Sequence, residues 1–176
     1  MMTKAKEFTI KTTLRGLGLT FKTTWGLFSL DKIDQGTRLL IENIETKPRE
    51  TMVDLGCGYG AVGVVMGKLN PTGKTIFVDR DIVAINYSQI NCKANGINNA
   101  EFILCNGLEA VETGRVDCIA ANLPTHVSNE MLGWMIESAK EVLRPKGKLA
   151  VVTVSKLRPF IKRSFEEIFE IGRAHV

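Results

Sequence analysis

Two acidic positions frame a glycine-rich segment of this chain. Val53-Asp54-Leu55-Gly56-Cys57-Gly58-Tyr59-Gly60 sets Asp54 just ahead of three alternating glycines, and Asp79 lies 19 residues after Gly60. Gly56, Gly58 and Gly60 permit a tight turn and let a ligand approach the backbone closely. A carboxylate at Asp79 can accept hydrogen bonds from both hydroxyls of a ribose. The pattern suits a nucleoside-bearing cofactor and reads in three ways. Gly58-Tyr59-Gly60-Ala61-Val62-Gly63 matches the Gly-x-Gly-x-x-Gly fingerprint of dinucleotide (NAD) binding, with Asp79 as its ribose acid. The carboxylate of Asp54, able to attract an ammonium group, and the early start of the glycines at Gly56 favour S-adenosylmethionine (SAM). A turn without any ligand is the third reading. Asn106-Gly107 is a further turn that can border an adenine and offer it the Asn106 amide, although the same pair also makes a plain turn.

The elements around these residues set their positions. Alternating apolar positions over 7–24, with Gly16 and Gly18 between the halves, predict a β-hairpin or two short strands. A helix is expected after Asp34, with Leu39, Leu40 and Ile44 on its apolar side. From residue 51 onward strand and helix alternate. Strands are expected at Thr51–Leu55, Lys74–Asp79, Glu101–Cys105, Val116–Ala121 and Lys148–Val154. Helices are expected at Ala61–Leu69, from Asp81 to about Asn95-Gly96, at Val127–Leu143 (stopped by Arg144-Pro145-Lys146-Gly147) and at Leu157–Phe169. Repeated βα units require right-handed crossovers and an α/β fold, a Rossmann-like parallel sheet with helices on both faces. Ligands of such sheets sit at the carboxyl ends of the strands. The glycine loop, Asp79, Asn106-Gly107 and the segment after the fourth strand all fall there.

That last segment is Ala121-Asn122-Leu123-Pro124-Thr125-His126. Together with the Asp-x-Gly-x-Gly-x-Gly loop and Asp79 it resembles amino-directed class I SAM-dependent methyltransferases. Gly26-Leu27-Phe28-Ser29 and Ile33-Asp34-Gln35-Gly36-Thr37-Arg38-Leu39-Leu40 narrow the resemblance to the small-subunit ribosomal RNA guanine methyltransferase family, especially its small single-domain archaeal members. It covers about residues 8–170. The resemblance implies SAM as cofactor, an exocyclic amine as acceptor, and ribosomal RNA as partner. An exocyclic base amine is a poor nucleophile because its lone pair is delocalised. Transfer needs in-line placement of that nitrogen and acceptors for its hydrogens that disperse developing positive charge. The resemblance carries this role onto Asn122, with the Leu123 carbonyl beside it and Pro124 completing the motif. The family's usual pattern is Asn-Pro-Pro-aromatic. Leu123 in place of the first proline is expected to loosen the backbone, and Thr125 removes a stacking platform for the base. Trp25 or Phe28 is then a candidate to stack, although either is more often a core residue. His126 matches a histidine of bacterial members and is otherwise a partly exposed residue at a helix start. The alternatives are methyl transfer to a protein glutamine or a small molecule, an NAD-dependent oxidoreductase, and a non-catalytic relative that binds SAM or RNA.

The length of 176 residues suits one domain, here 1–170, divided into an N-terminal extension over 1–49 and a cofactor-binding core over 50–170. The last six residues, 171–176, resemble the translation of a sequencing adapter and are left out of fold reasoning. The resemblance also implies a closing C-terminal hairpin. No segment for it remains after Phe169, so truncation is expected, with the fifth strand left as an edge. The net charge is +4, and it is unevenly spread. Lys4, Lys6, Lys11, Arg15 and Lys22 face only Glu7 within 1–22. Eight basic residues face only Glu141 within 140–163. Basic ends around an acidic middle can meet phosphates or simply solvate exposed faces. Cys57, Cys92, Cys105 and Cys118 form no Cys-x-x-Cys pair, so no metal site is expected. With no signal segment they read as reduced thiols of a cytoplasmic protein, and no apolar run reaches membrane-spanning length.

Overall fold

The computed structural model describes residues 6–169, so the adapter-like segment 171–176 lies outside the described residues. The chain opens with an antiparallel hairpin of β1 (Glu7–Leu14) and β2 (Leu17–Thr24), in register with Ile10 opposite Phe21. Arg15 and Gly16 turn it with positive φ angles of 48° and 77°, the twist that two-residue hairpin loops favour. Gly18 is not part of the turn; it pairs with Thr13 inside the ladder.

The main sheet contains β3 (Thr51–Leu55), β4 (Lys74–Asp79), β5 (Ala100–Leu104), β6 (Val116–Asn122) and β7 (Leu143–Val152). All are parallel, in the order β5-β4-β3-β6-β7. The chain winds outward from β3 to β5, then returns to the other side of β3 for β6. This reversal opens a crevice at the carboxyl ends of β3 and β6. The helices are α1 (Gln35–Asn43), α2 (Ala61–Leu69), α3 (Ile82–Ala94), α4 (Asn129–Val142) and α5 (Arg158–Phe169).

Strand alternation divides the core into two layers. Met52, Phe77, Cys118 and Ala120 face α1, α2, α3 and the hairpin. Val53, Ile76, Val78, Ile119 and Ala121 face α4 and α5. Asp34, Asp81 and Ser128 cap α1, α3 and α4 by accepting from the backbone N–H of Thr37, Val83 and Met131. The hairpin is fixed to the site by two asparagines of α3. Asn91 and Asn95 each exchange a pair of hydrogen bonds with the backbone of β2, at Lys22 and Thr20. Asn91 also donates to the Tyr59 carbonyl of the glycine loop at 2.7 Å.

Strand β5 is shifted by one residue, β6 ends one residue later and β7 two residues earlier than expected, and two starts differ for a physical reason. Helix α4 begins at Asn129 rather than Val127, because Ser128 is its cap. Strand β7 begins at Leu143 rather than Lys148. Arg144–Gly147, expected as a helix stop, form a bulge: Leu143 pairs with Val116 and Lys148 with Cys118, leaving the residues between without register partners. The basic run is also less free than its charge suggests. Arg144 pairs with Asp117 and Lys148 with Glu45, Lys140 donates to the Ile168 carbonyl, and Arg15 of the hairpin donates to the Ile41 and Ile44 carbonyls at the end of α1.

Candidate active site

Two adjoining pockets occupy the crevice and share Gly56, Asn122 and Pro124 in their walls. The first, about 220 Å3, is bordered by Asp79, Arg80, Asn106, Gly107, Met131 and Trp134. The second, about 420 Å3, is bordered by Phe28, Asp34, Thr37, Asp54, Thr125 and His126. Of the candidate site residues read from the sequence, all but Gly60 and Trp25 thus line one or both; Gly58 and Leu123 also border the second. Gly60 stands behind the wall, as the residue from which α2 starts.

The loop geometry follows from its residue types. Gly56 and Gly58 have φ of 69° and 54°, and a Cβ on either would meet no neighbour. Glycine is needed there for its backbone angle, and the exposed backbone faces open space that a ligand can fill. The loop is held from below: Gly56 and Cys57 donate to the Val78 carbonyl, and Gly58 donates to Asp79 at 3.0 Å. Asp79 accepts from Asp81 N–H through its other oxygen at 2.9 Å, which fixes the carboxylate plane at the end of β4. Gly107 (φ 56°) makes the opposite wall, where a Cβ would collide with the Trp134 ring.

Asp54 is 2% exposed. Its carboxylate accepts from Gly63 N–H at 2.7 Å in the first turn of α2. Burial pushes its pKa up to about 7; the Gly63 hydrogen bond opposes this, and the charge of Asp79 adds to it. The cation-seeking group expected of the loop is therefore a buried acid that has no basic partner among the described residues and borders the second pocket.

Asn122 sits at the end of β6, in the wall common to both pockets. Its amide Nδ2 donates to Thr37 Oγ1 at 3.1 Å and reaches Asp34 Oδ1 at 3.4 Å. The donor end is thus committed to the start of α1. The Oδ1 end, which accepts no hydrogen bond among the described residues, remains to receive an N–H. Leu123 does not loosen the segment as expected. Its N–H donates to the Val152 carbonyl at 2.9 Å and its side chain is 3% exposed. A proline at 123 lacks that donor, so leucine ties the loop to the end of β7. Phe28 and Trp25 are not core residues: they are 68% and 63% exposed, and of the two only Phe28 borders a pocket. His126 is exposed, in the loop ahead of α4.

Four contributors were not read from the sequence as site residues. Thr37 and Asp34 hold Asn122 from a helix 85 and 88 positions away, a separation that no local pattern reveals. Met131 and Trp134 come from α4, and there a signal existed. Leu132, Ile136 and Ala139 fill the core face of that helix, while Met131, Trp134 and Met135 form a second apolar stripe at helical spacing, with Val127 just ahead of the helix beside them in the pocket wall. An apolar arc wider than the core requires marks a surface that covers something else. Among the described residues, no group of three or more His, Cys, Asp or Glu side chains is placed to hold a metal ion. All four cysteines are free, and no described helix is long and apolar enough to cross a membrane.

A doubly wound sheet with a glycine loop, a ribose-height acid and an Asn-x-Pro segment at its switch point defines the Rossmann-like methyltransferase fold. The chain belongs to the methyltransferase small domain family, whose model matches residues 18–175. It is 34% identical over 132 residues to the ribosomal RNA large subunit methyltransferase G of Streptomyces avermitilis, covering 72% of this chain and 35% of that protein. The counterpart from Streptomyces coelicolor is 35% identical over 133 residues, with the same coverage. The chain therefore spans about a third of the length of these curated relatives. Among solved structures, the T. thermophilus 16S rRNA N2 G1207 methyltransferase in complex with AdoMet and guanosine superposes with a TM-score of 0.81 at 24% identity, covering 96% of this chain and 47% of that one. The ribosomal protein L11 methylase of Lactobacillus delbrueckii superposes with a TM-score of 0.63 at 23% identity, over 77% of this chain and 73% of that one. At these identities the likeness establishes the fold, which RNA-directed and protein-directed methylases share.

Proposed function

We propose that this chain is a cytoplasmic SAM-dependent N-methyltransferase acting on an exocyclic nucleobase amine, that of guanine in ribosomal RNA. The observation that carries the reading is the fixed amide of Asn122. Its donor end is held by Thr37 and Asp34, and its acceptor end is left free at the junction of the two pockets. The named relatives, which are ribosomal RNA methyltransferases, support the choice of acceptor.

The first pocket fits the nucleoside half of SAM. Asp79 stands ready for the ribose hydroxyls, and Asn106, Gly107 and Trp134 border the space that would take the adenine. The open backbone at Gly56 and Gly58 fits the chain between ribose and amino acid, and Asp54 supplies the anion for its ammonium. When bound, SAM supplies an electrophilic methyl group on a sulfonium. The protein's share is alignment. Asn122 Oδ1 and the Leu123 carbonyl accept the two hydrogens of the amine and turn its lone pair toward the methyl group. Their partial negative charge would stabilise the cationic nitrogen that forms as the methyl group passes to it from the sulfonium, the electron pair of the broken bond staying with sulfur and the nitrogen's proton passing to water. Phe28, Thr125 and His126 border the space for the base. A base paired in a duplex has to leave its stack to reach it.

Calorimetry with SAM, and with NAD as control, tests the cofactor. Incubation with methyl-labelled SAM and unmodified ribosomal RNA, followed by nucleoside analysis, tests the acceptor. SAM binding with label in N2-methylguanosine is expected. Label in protein and not in RNA overturns the acceptor, and NAD binding without SAM binding overturns the whole reading.

A further inference from the structure

The connection between β2 and α1 holds two large aromatic rings in water. Gly26 and Ser29 adopt left-handed backbone conformations, with φ of 92° and 59°. Between them Leu27 turns inward, 8% exposed, and its N–H donates to the Thr24 carbonyl at 3.2 Å. Ser29 Oγ donates to the Lys32 carbonyl at 2.6 Å. A segment pinned in this way is not a loose loop. It anchors Leu27 and presents Trp25 and Phe28 on the outside, 63% and 68% exposed, where apolar ring surface gains nothing from burial in the isolated chain.

The rings are not scattered. Trp25 meets Phe8 edge to face, with centroids 5.5 Å apart and planes at 81°. The Lys6 ammonium lies 5.4 Å from the centroid of the Phe8 ring. Phe28, three residues beyond Trp25, borders the same pocket as Asn122 and Thr125. Lys6, Phe8 and Trp25 form one cluster beside the start of β1, and Phe28, three residues on in the chain, stands at the acceptor pocket; together they make up a ledge.

We propose that this ledge binds single-stranded RNA on one side of the target nucleotide. Phe28 stacks at the pocket mouth, Trp25 stacks on a neighbouring base, and Lys6 meets the backbone phosphate. The proposal rests on the methyl-transfer reading above and names how the acceptor strand is gripped. Three observations favour RNA as the occupant. Phe28, one of the ledge's rings, borders the pocket proposed for the base. The exposed groups of the ledge are rings and an ammonium, the pair that grips bases and phosphates. The N-terminal segment that carries it is basic, with Glu7 as the only acid within 1–22. The ledge also offers the ring that Thr125 cannot, displaced from the Asn-x-Pro loop to the connection opposite it.

Tryptophan fluorescence reads the ledge directly, because Trp25 and Trp134 are the only tryptophans. A short oligouridine titrated into the protein is expected to quench the emission, and the quench is expected to vanish in Trp25→Phe while labelled oligouridine still binds. Trp25→Ala is expected to weaken oligouridine binding about 5- to 100-fold, the range for loss of one stacked base. It should raise KM for ribosomal RNA by a similar factor and leave kcat and SAM affinity unchanged. Lys6→Glu should weaken binding without removing the quench. Unchanged oligouridine affinity and unchanged KM in Trp25→Ala overturn the proposal, as does equal quenching by duplex RNA. If Trp25→Ala loses oligouridine affinity but the wild-type protein methylates no RNA, the ledge stands and the methyl-transfer reading falls. If methylation proceeds with an unchanged KM in Trp25→Ala, the ledge falls and the methyl-transfer reading stands.

Discussion

Two buried aspartates stand at opposite ends of the main sheet and are treated differently. Asp117, at the start of β6, is 6% exposed; it accepts from Thr51 N–H at 2.8 Å and is paired with the Arg144 guanidinium. Asp54, near the end of β3, is 2% exposed and accepts from Gly63 N–H, with no cation beside it among the described residues. A buried carboxylate is costly unless its charge is met. At the amino ends of the strands the chain meets that charge itself. At the carboxyl ends it leaves the requirement open, and a ligand's ammonium fits it. Asn122, also at the carboxyl ends, follows the same rule: half of its amide is used by the protein and the other half is unused. Of these three side chains, the two left incompletely satisfied lie at the carboxyl ends, where the pockets open.

The largest effect is expected where that incompleteness is removed. Asn122→Ala should lower methyl transfer on the order of 100- to 1000-fold, the scale for losing one oriented acceptor, with SAM affinity within a few-fold of wild type. A sharper form exchanges the partners. Asn122→Asp keeps an acceptor but sets a carboxylate against Asp34, so it should be nearly inactive. Adding Asp34→Asn restores a donor–acceptor pair across the same contact and keeps an efficient helix cap. Recovery of kcat in the double variant is expected. Two single losses that simply multiply would show that the contact does not orient the amide.

Asp54 gives the next largest effect, and its sign follows from its raised pKa. The penalty is absent below the unfolded value near 3.8, grows as the pH rises, and is complete above about 7. Its ceiling is about 4 kcal/mol, from roughly three units at 1.36 kcal/mol each. Asp54→Asn should therefore raise the urea-unfolding free energy of the ligand-free protein at about pH 8 by about 1–4 kcal/mol, and weaken SAM binding at least about tenfold. In the wild type, SAM affinity should fall as the pH drops through about 7, because a protonated Asp54 no longer attracts the ammonium. A flat profile by calorimetry between about pH 5 and 9, or an unstabilised Asp54→Asn, breaks the contrast between the two ends.

The contrast also explains what the sequence made legible. The core strands β3 and β4 match their expected limits to the residue, because each is a short apolar run closed by glycine or an acid. The cofactor loop was legible because glycines and acids lie close together in sequence. The contacts that complete the site join distant segments: Thr37 to Asn122, Asn91 to Tyr59, Leu123 to Val152. No local pattern contains them. Leu123 was misread for the same reason. As a departure from a proline it looks like lost rigidity, yet its N–H makes a bond that proline cannot. Charge says less: the basic run over 140–163 suits a phosphate surface or a solvated face, and three of its members, Arg144, Lys148 and Lys140, also make contacts within the fold.

Arg144 tests whether the far end is as separate from function as its pairing implies. Arg144→Gln removes the cation from Asp117 and leaves Thr51 N–H as its donor. A fully buried pair would lose about 3–5 kcal/mol on such a change. The Arg144 side chain is 55% exposed, and water can screen the stranded carboxylate, so about 1–2 kcal/mol is expected in urea unfolding. SAM affinity and methyl-transfer rate should not move. The smallest effect belongs to the neighbouring Glu45–Lys148 pair, with side chains 75% and 49% exposed. Each ion there is already solvated, so little is gained by pairing. Glu45→Gln should leave the urea midpoint within measurement error. A clear loss there, or a fall in rate with Arg144→Gln, would mean that the bulge at Arg144–Gly147 positions β7, and with it the Val152 carbonyl that holds Leu123.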